Sequence, residues 1–117
     1  MKKFIGKIYF HEGEHRDQIF GSYQSVSIKR AILNDKILKI EYFNPEGSSD
    51  VLINLKSKDG FEFAGSAKAP DEEKFTGKIN FNFYSNNDKA LLIGTWAVGN
   101  LIDTCIIELE EVDQFKD

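Results

Sequence analysis

The sequence is poor in the residues that staple, interrupt or metallate a small domain. It has one cysteine, Cys105, in 117 residues, so no disulfide can form within the chain, and the reducing cytosol is the compartment that suits it. Two prolines and two histidines leave little to break regular structure and little to bind a transition metal. No stretch approaches the ~18 consecutive apolar residues that a membrane helix requires. Met1-Lys2-Lys3-Phe4-Ile5-Gly6-Lys7 carries charge but no apolar run of signal-peptide length. Basic charge is scarce as well: 15 Lys+Arg stand against 19 Asp+Glu, for a net charge of −4. Nucleic acids and anionic membranes are held by a basic face, so neither is expected as a partner. What the chain does have is core-forming material. It is 41% hydrophobic and 13% aromatic, with ten Phe, four Tyr and one Trp, enough for a single globular domain over residues 1–117.

Polarity alternates with a two-residue period almost throughout, the mark of half-buried strands. Phe4, Gly6, Ile8 and Phe10 alternate with Ile5, Lys7 and Tyr9. A second strand is expected around Ile19–Val26, and Ile37–Phe43 follows with Leu38, Ile40 and Tyr42 on one face. Val51–Leu55, Phe61–Lys68, Phe75–Phe83, Ala90–Val98 and Thr104–Val112 continue the pattern. Asp59-Gly60 and Ser85-Asn86-Asn87-Asp88 supply hairpin turns, since Gly and Asn tolerate positive φ. Within Ser25–Asp35 the apolar phase switches from odd to even positions, which predicts either a helical turn or, in preference, a bulge near Ser25.

There is also an internal echo. Lys3-Phe4-Ile5-Gly6-Lys7-Ile8-Tyr9-Phe10 nearly repeats as Lys74-Phe75-Thr76-Gly77-Lys78-Ile79-Asn80-Phe81, and Phe20-Gly21-Ser22-Tyr23 matches Ile93-Gly94-Thr95-Trp96. Interior glycines mark strands that bend or cross closely. About eight antiparallel strands in sequential order have one economical arrangement, an all-β up-and-down (meander) barrel whose closure removes both sheet edges. A two-sheet β-sandwich is the alternative.

The run Leu92-Ile93-Gly94-Thr95-Trp96 resembles the Gly-x-Trp strand of the calycins, the lipocalin and avidin superfamily. Leu38–Tyr42, Asn44-Pro45, Phe63–Gly65 and Phe75-Thr76-Gly77-Lys78-Ile79 are similar in order and spacing to the soluble barrel of bacterial antiphage effectors that sense cyclic oligonucleotides. Those effectors carry transmembrane helices ahead of the barrel, and this chain has none, so the resemblance implies ligand sensing and not membrane disruption. Both families imply a small molecule bound inside the barrel or at its mouth, ring-shaped or nucleotide-like.

The residues themselves point to binding more than to catalysis. If Gly21 and Gly94 face inward, then Tyr23 and Trp96 do too, with Ser25 following, and Tyr42 shares a face with Leu38 and Ile40. Tyr and Trp offer a large apolar body and one hydrogen-bond donor, which suits a partly polar ring. The expected ligand-binding set is Tyr23, Ser25, Arg30, Tyr42, Phe63 and Trp96, with Arg30 reaching an anionic group at the mouth. His11-Glu12-Gly13-Glu14-His15 matches the His-Glu-x-x-His zinc motif, but that motif needs a helix to set its imidazoles one turn apart. Here Gly13 sits in the middle and a strand leads into His11, so a solvated hairpin loop is expected, and no metal or other cofactor. Cys105 alternates with Ile107 and Leu109 and reads as a buried small hydrophobe. The carboxylates of Glu108–Asp113, with Asn86-Asn87-Asp88, suggest a second role: an inhibitor or immunity protein that offers an acidic outer face to a basic partner. A homodimer through a strand face is also compatible with a barrel.

Overall fold

The computed structural model describes residues 1–11, 23–44, 49–69, 72–98 and 101–115, leaving aside the side chains at 10–11, 23–24, 44, 49, 72–76, 98, 101 and 103. Every regular element in the described residues is a strand: β1 (Lys2–His11), β2 (Tyr23–Asn34), β3 (Ile37–Asn44), β4 (Ser49–Ser57), β5 (Glu62–Ala69), β6 (Glu72–Asn86), β7 (Lys89–Val98) and β8 (Leu101–Val112). Each pairs antiparallel with its sequence neighbours, and β8 returns to β1, so the sheet closes in the order β1-β2-β3-β4-β5-β6-β7-β8. An even number of antiparallel strands lets the last meet the first with the right polarity. The closing seam is full, running from Lys3 opposite Val112 to Phe10 opposite Cys105. A two-sheet sandwich would leave that seam unpaired, and it is thereby excluded.

Strand alternation decides what fills the barrel. Phe4 and Ile8 of β1, Leu38, Ile40 and Tyr42 of β3, Val51, Ile53 and Leu55 of β4, and Ile79 and Phe81 of β6 are all buried, while their sequence neighbours face out. Ala31, Ala67, Ala69 and Ala90 lie among these larger residues in one cluster, the alternation of sizes that lets side chains from opposite walls interdigitate. Among the described residues, twelve interior side chains, including Ile8, Leu55, Leu92 and Ile107, have less than 2% of their surface accessible. A wall residue beside a water-sized void would show accessible surface on that side, so this part of the barrel is packed.

Two features of the sequence take a different place from the one expected. The second strand is described over Tyr23–Asn34, so it continues past the expected end at Val26, while residues 19–22 lie outside the described ones. The bulge falls between Ile28 and Arg30 and not near Ser25: there β2 advances by one more residue than β1 or β3. The apolar phase passes from Val26 and Ile28 to Ala31 and Leu33 at that point. Lys29, set outward by the bulge, reaches over β3 to Asp50, Nζ–Oδ1 2.7 Å. Bulges bend a strand and raise its twist, and Gly6 lies on β1 opposite this one. A Cβ at Gly6 would strike the backbone oxygen of Glu108, and one at Gly94 that of Asn80. β1 thus coils closely against β8 at Gly6, β5 against β4 at Gly65 and β7 against β6 at Gly94, where only glycine permits the approach.

The turns follow the sequence closely. Asn87 takes φ 58° between β6 and β7, and Gly60 takes φ 82° between β4 and β5. Asp59 organises the latter connection by accepting the N–H groups of Phe61 and Glu62, each at 2.9 Å. These backbone donors hold its carboxyl below the usual range, the Glu62 N–H contributing most. Asp35, φ 58°, makes a third tight turn between β2 and β3.

Candidate functional site

The residues expected to line a ligand site divide between the inside of the barrel and its outside. Tyr42 and Trp96 are inside, 2% and 4% exposed, with rings edge-on at 6.4 Å. Gly94 and Trp96 share the inward face as the two-residue spacing requires, and Gly77 leaves the room the indole occupies: a Cβ there would stand 2.5 Å from Trp96 Nε1. Burial, and secondly the neighbouring Cys105, raise the Tyr42 phenol well above its ordinary value, so it stays neutral. Tyr42, Trp96 and Cys105 come from β3, β7 and β8 and form a packed layer across the barrel. Phe63 is also buried, but it begins β5, near the opposite end, stacked at 5.5 Å on Phe83. Tyr42 and Trp96 thus meet, and Phe63 lies apart from them.

Two expected members, Ser25 and Arg30, stand elsewhere. Ser25 is exposed, on the outer face with Ser27, because the bulge lies beyond it and the phase has not yet shifted. Arg30, just past the bulge, lies on the barrel wall and not at its mouth: Nε is 3.6 Å from Glu41 on β3 and the guanidinium lies 5.9 Å from the Phe115 ring centre. Tyr23 opens β2 opposite His11, and its side chain lies outside the described residues. His11 closes β1 in strand conformation, while 12–15, including His15, also lie outside them. Among the described residues no group of three or more His, Cys, Asp or Glu is placed to hold a metal.

A concavity the alternation argument did not foresee lies on the outside. A groove of about 870 Å³ crosses β1, β8 and β7 at the coiled region around Gly6. Across it, Lys7 stands opposite Glu108 and Glu108 opposite Leu91; one level away, Ile5 stands opposite Glu110 and Glu110 opposite Lys89. Tyr9, Ile106 and Ile93 form the adjoining row. The Tyr9 hydroxyl donates to Glu108 Oε2 at 3.4 Å, and partial desolvation, then the carboxylate's charge and that bond, keep the phenol protonated to higher pH than usual. Tyr84 forms one end wall, its ring edge-on to Phe61 at 5.4 Å. The acidic run Glu108–Glu110 is therefore interleaved with lysines and apolar side chains.

The signal for this surface is present in the sequence as a failure of alternation. Leu91-Leu92-Ile93 and Ile106-Ile107 put large apolar residues on both faces of β7 and β8, where a solvated outer face calls for polar ones. Of the outward members Ile93 is 40% exposed, and Leu91 and Ile106 are half-buried. No protein-family model matches the chain, and no curated protein matches its sequence. Its architecture, a closed eight-stranded antiparallel meander, has the general shape of a calycin barrel.

Proposed function

We propose that this protein is a non-catalytic interaction module that holds a polypeptide partner on the outside of its barrel, over the groove formed by β1, β8 and β7. The observation that carries the reading is a contrast in packing: the interior is filled by its own side chains, while the outer groove leaves Ile5 and Tyr84 exposed and Leu91 half-buried beside paired charges, with Ile93 exposed in the adjoining row. Contiguous apolar surface rimmed by polar groups marks contact sites, and aromatic residues with aliphatic neighbours are what partner surfaces bury. The calycin likeness enters through shape, and in this reading the barrel is a rigid support for its outer face.

A small ligand in the same groove is the second reading, favoured by a volume within the ~300–1,000 Å³ typical of small-molecule sites and by the convergence of Tyr9, Lys7 and Glu108 on it. One experiment separates these from an interior ligand. The protein and its Ile5→Asp variant are immobilised and exposed to lysate of the source cells, and both, with Tyr42→Phe, are melted against a metabolite library. A protein captured by the parent chain and lost from Ile5→Asp supports the polypeptide reading. A compound that raises the melting temperature of the parent but not of Ile5→Asp supports the second. A compound whose effect survives Ile5→Asp and vanishes in Tyr42→Phe overturns both and returns function to the interior.

A further inference from the structure

We infer that the outer face of β4 and β5, with the flanking strands β3 and β6, binds a short acidic segment of a protein partner. In the closed strand order this face stands across the barrel from β8 and β1. It is a second contact surface, separate from the groove.

A net charge of −4 is an average over the surface, and a partner meets the local field instead. Strand registers sort the charges. On β1, β7 and β8 lysines face carboxylates: Lys7 stands opposite Glu108 and Lys89 opposite Glu110. On β2, Lys29 is paired with Asp50 and Arg30 with Glu41. The far side differs. One register row there reads Lys39, Asn54, Ser66, Lys78 across β3, β4, β5 and β6. Lys56 and Lys68 lie two residues from that row, on opposite sides of it because β4 and β5 run antiparallel. Residues 52–56, 64–68 and 78–80 contain no Asp or Glu. All four lysines are exposed, and none is paired with a carboxylate among the described residues. Like charges without an internal counter-charge repel one another, and an anionic partner relieves that repulsion.

Size and chemistry select among anions. With strands ~4.8 Å apart and a rise of ~3.4 Å per residue, the four lysines mark a diamond of backbone positions about 14 Å along each diagonal. An extended segment of about four or five residues spans that distance. Asn54 and Ser66, at the centre, offer an amide and a hydroxyl to its backbone. A nucleic acid finds less here. Residues 52–56, 64–68 and 78–80 include no aromatic, so its bases have nothing to stack on. The cations are lysines, without the guanidinium fork that grips phosphate at two points. A longer polyanion also runs onto Glu41, opposite Leu52, and Glu62, opposite Asn82. An anionic membrane would meet one large outward apolar side chain in these segments, Leu52, too little to anchor in it.

Fluorescence anisotropy of a labelled hexaglutamate peptide, titrated with the purified chain at low ionic strength, tests the inference. Saturable binding is expected, and it should weaken steadily as salt screens the exposed lysines. Lys56→Glu and Lys68→Glu are each expected to weaken it about fivefold, and the two together about twentyfold or more. Lys2→Glu makes the same charge change at an exposed position at the start of β1 and is expected to alter the affinity by less than about twofold, because the lysine is remote and screened. Far-ultraviolet circular dichroism checks that each variant keeps the barrel, and Lys56→Gln/Lys68→Gln, which removes charge without reversing it, should give an intermediate loss. Absence of binding at low salt overturns the inference, as does an equal loss in Lys2→Glu and Lys56→Glu. A hexathymidylate strand or a phosphatidylglycerol vesicle that binds more tightly than the peptide, and is lost in the same variants, overturns the acidic polypeptide as the occupant. The capture experiment with Ile5→Asp reads the groove alone, so either surface can fail without the other.

Discussion

The packing of Gly77 against Trp96 gives a prediction that can be worked through quantitatively. A methyl group at position 77 would lie 2.5 Å from Trp96 Nε1 and 3.1 and 3.2 Å from two further indole atoms. The indole is rigid and edge-on to Tyr42, so it has nowhere to yield without disturbing the layer. Gly77→Ala should therefore destabilise the barrel by about 1–3 kcal/mol, the usual range for overpacking. For a chain of this size that is a fall in Tm of about 4 °C per kcal/mol. Trp96→Ala opens a cavity in a fully enclosed layer and should remove about 3–5 kcal/mol. In that background the methyl at 77 enters vacated space. Its cost should vanish or turn into a gain of up to about 1 kcal/mol from the stiffer unfolded chain. The two changes should then couple by about 1–3 kcal/mol.

Gly94→Ala is the control. Its methyl would meet the Asn80 backbone oxygen, so it should be equally damaging with or without Trp96. Guanidinium denaturation followed by far-ultraviolet circular dichroism is the assay, because Trp96 is the single tryptophan and fluorescence disappears with it. Trp96→Phe, which removes the ring carrying Nε1, makes the same comparison where Trp96→Ala leaves too little stability to measure. The reasoning is refuted if Gly77→Ala is equally costly in both backgrounds, or harmless in the parent chain.

Three further outcomes follow from the same geometry. Asp59 is held below the usual carboxylate range by the Glu62 and Phe61 N–H groups. Its contribution to stability is present above its unfolded pKa and is lost as pH falls through the folded value; Asp59→Asn should flatten the acid limb of denaturation midpoint against pH. Cys105 is fully buried, so a thiol reagent should label the native chain at a rate that tracks its opening in denaturant, and Cys105→Ser should cost about 1–3 kcal/mol by burying a better-solvated hydroxyl. The Tyr9 phenol is raised by desolvation and then by Glu108. Its stabilising effect is complete below the unfolded pKa and disappears as pH rises through the folded one; Glu108→Gln should shift its ultraviolet titration back toward the free value.

Much of the fold is legible in the residues because each decision there is local. Alternation in Ile37–Phe43 and Phe75–Phe83, and the turns at Asp59-Gly60 and Asn87-Asp88, depend on neighbours two or three places apart, and all are found as strands and turns. Eight such segments with short connections leave closure as the way to satisfy both edges, and β8 does pair with β1. The inward place of Trp96, two residues after Gly94, follows from the same period. Over residues 23–35 phase alone does not suffice: the strand continues past Val26 to Asn34, and the bulge lies at Ile28–Arg30 and not near Ser25. A phase switch shows that a residue has been inserted, but the partner strands choose where.

By itself the sequence determined that this chain is a barrel of antiparallel strands with an aromatic interior, since hydrophobic period and turn chemistry are properties of short segments. The tertiary structure decided how the interior is packed and where the outer face is concave. Whether Tyr42, Phe63 and Trp96 line a cavity or fill it depends on the diameter that closure imposes and on the space Gly77 yields to the indole. The groove surrounds Gly6, which faces the bulge in β2, and registers set across three strands bring Lys7, Glu108 and Leu91 into one row beside it. Residues about 100 positions apart in sequence meet there, and no period within a strand records that meeting.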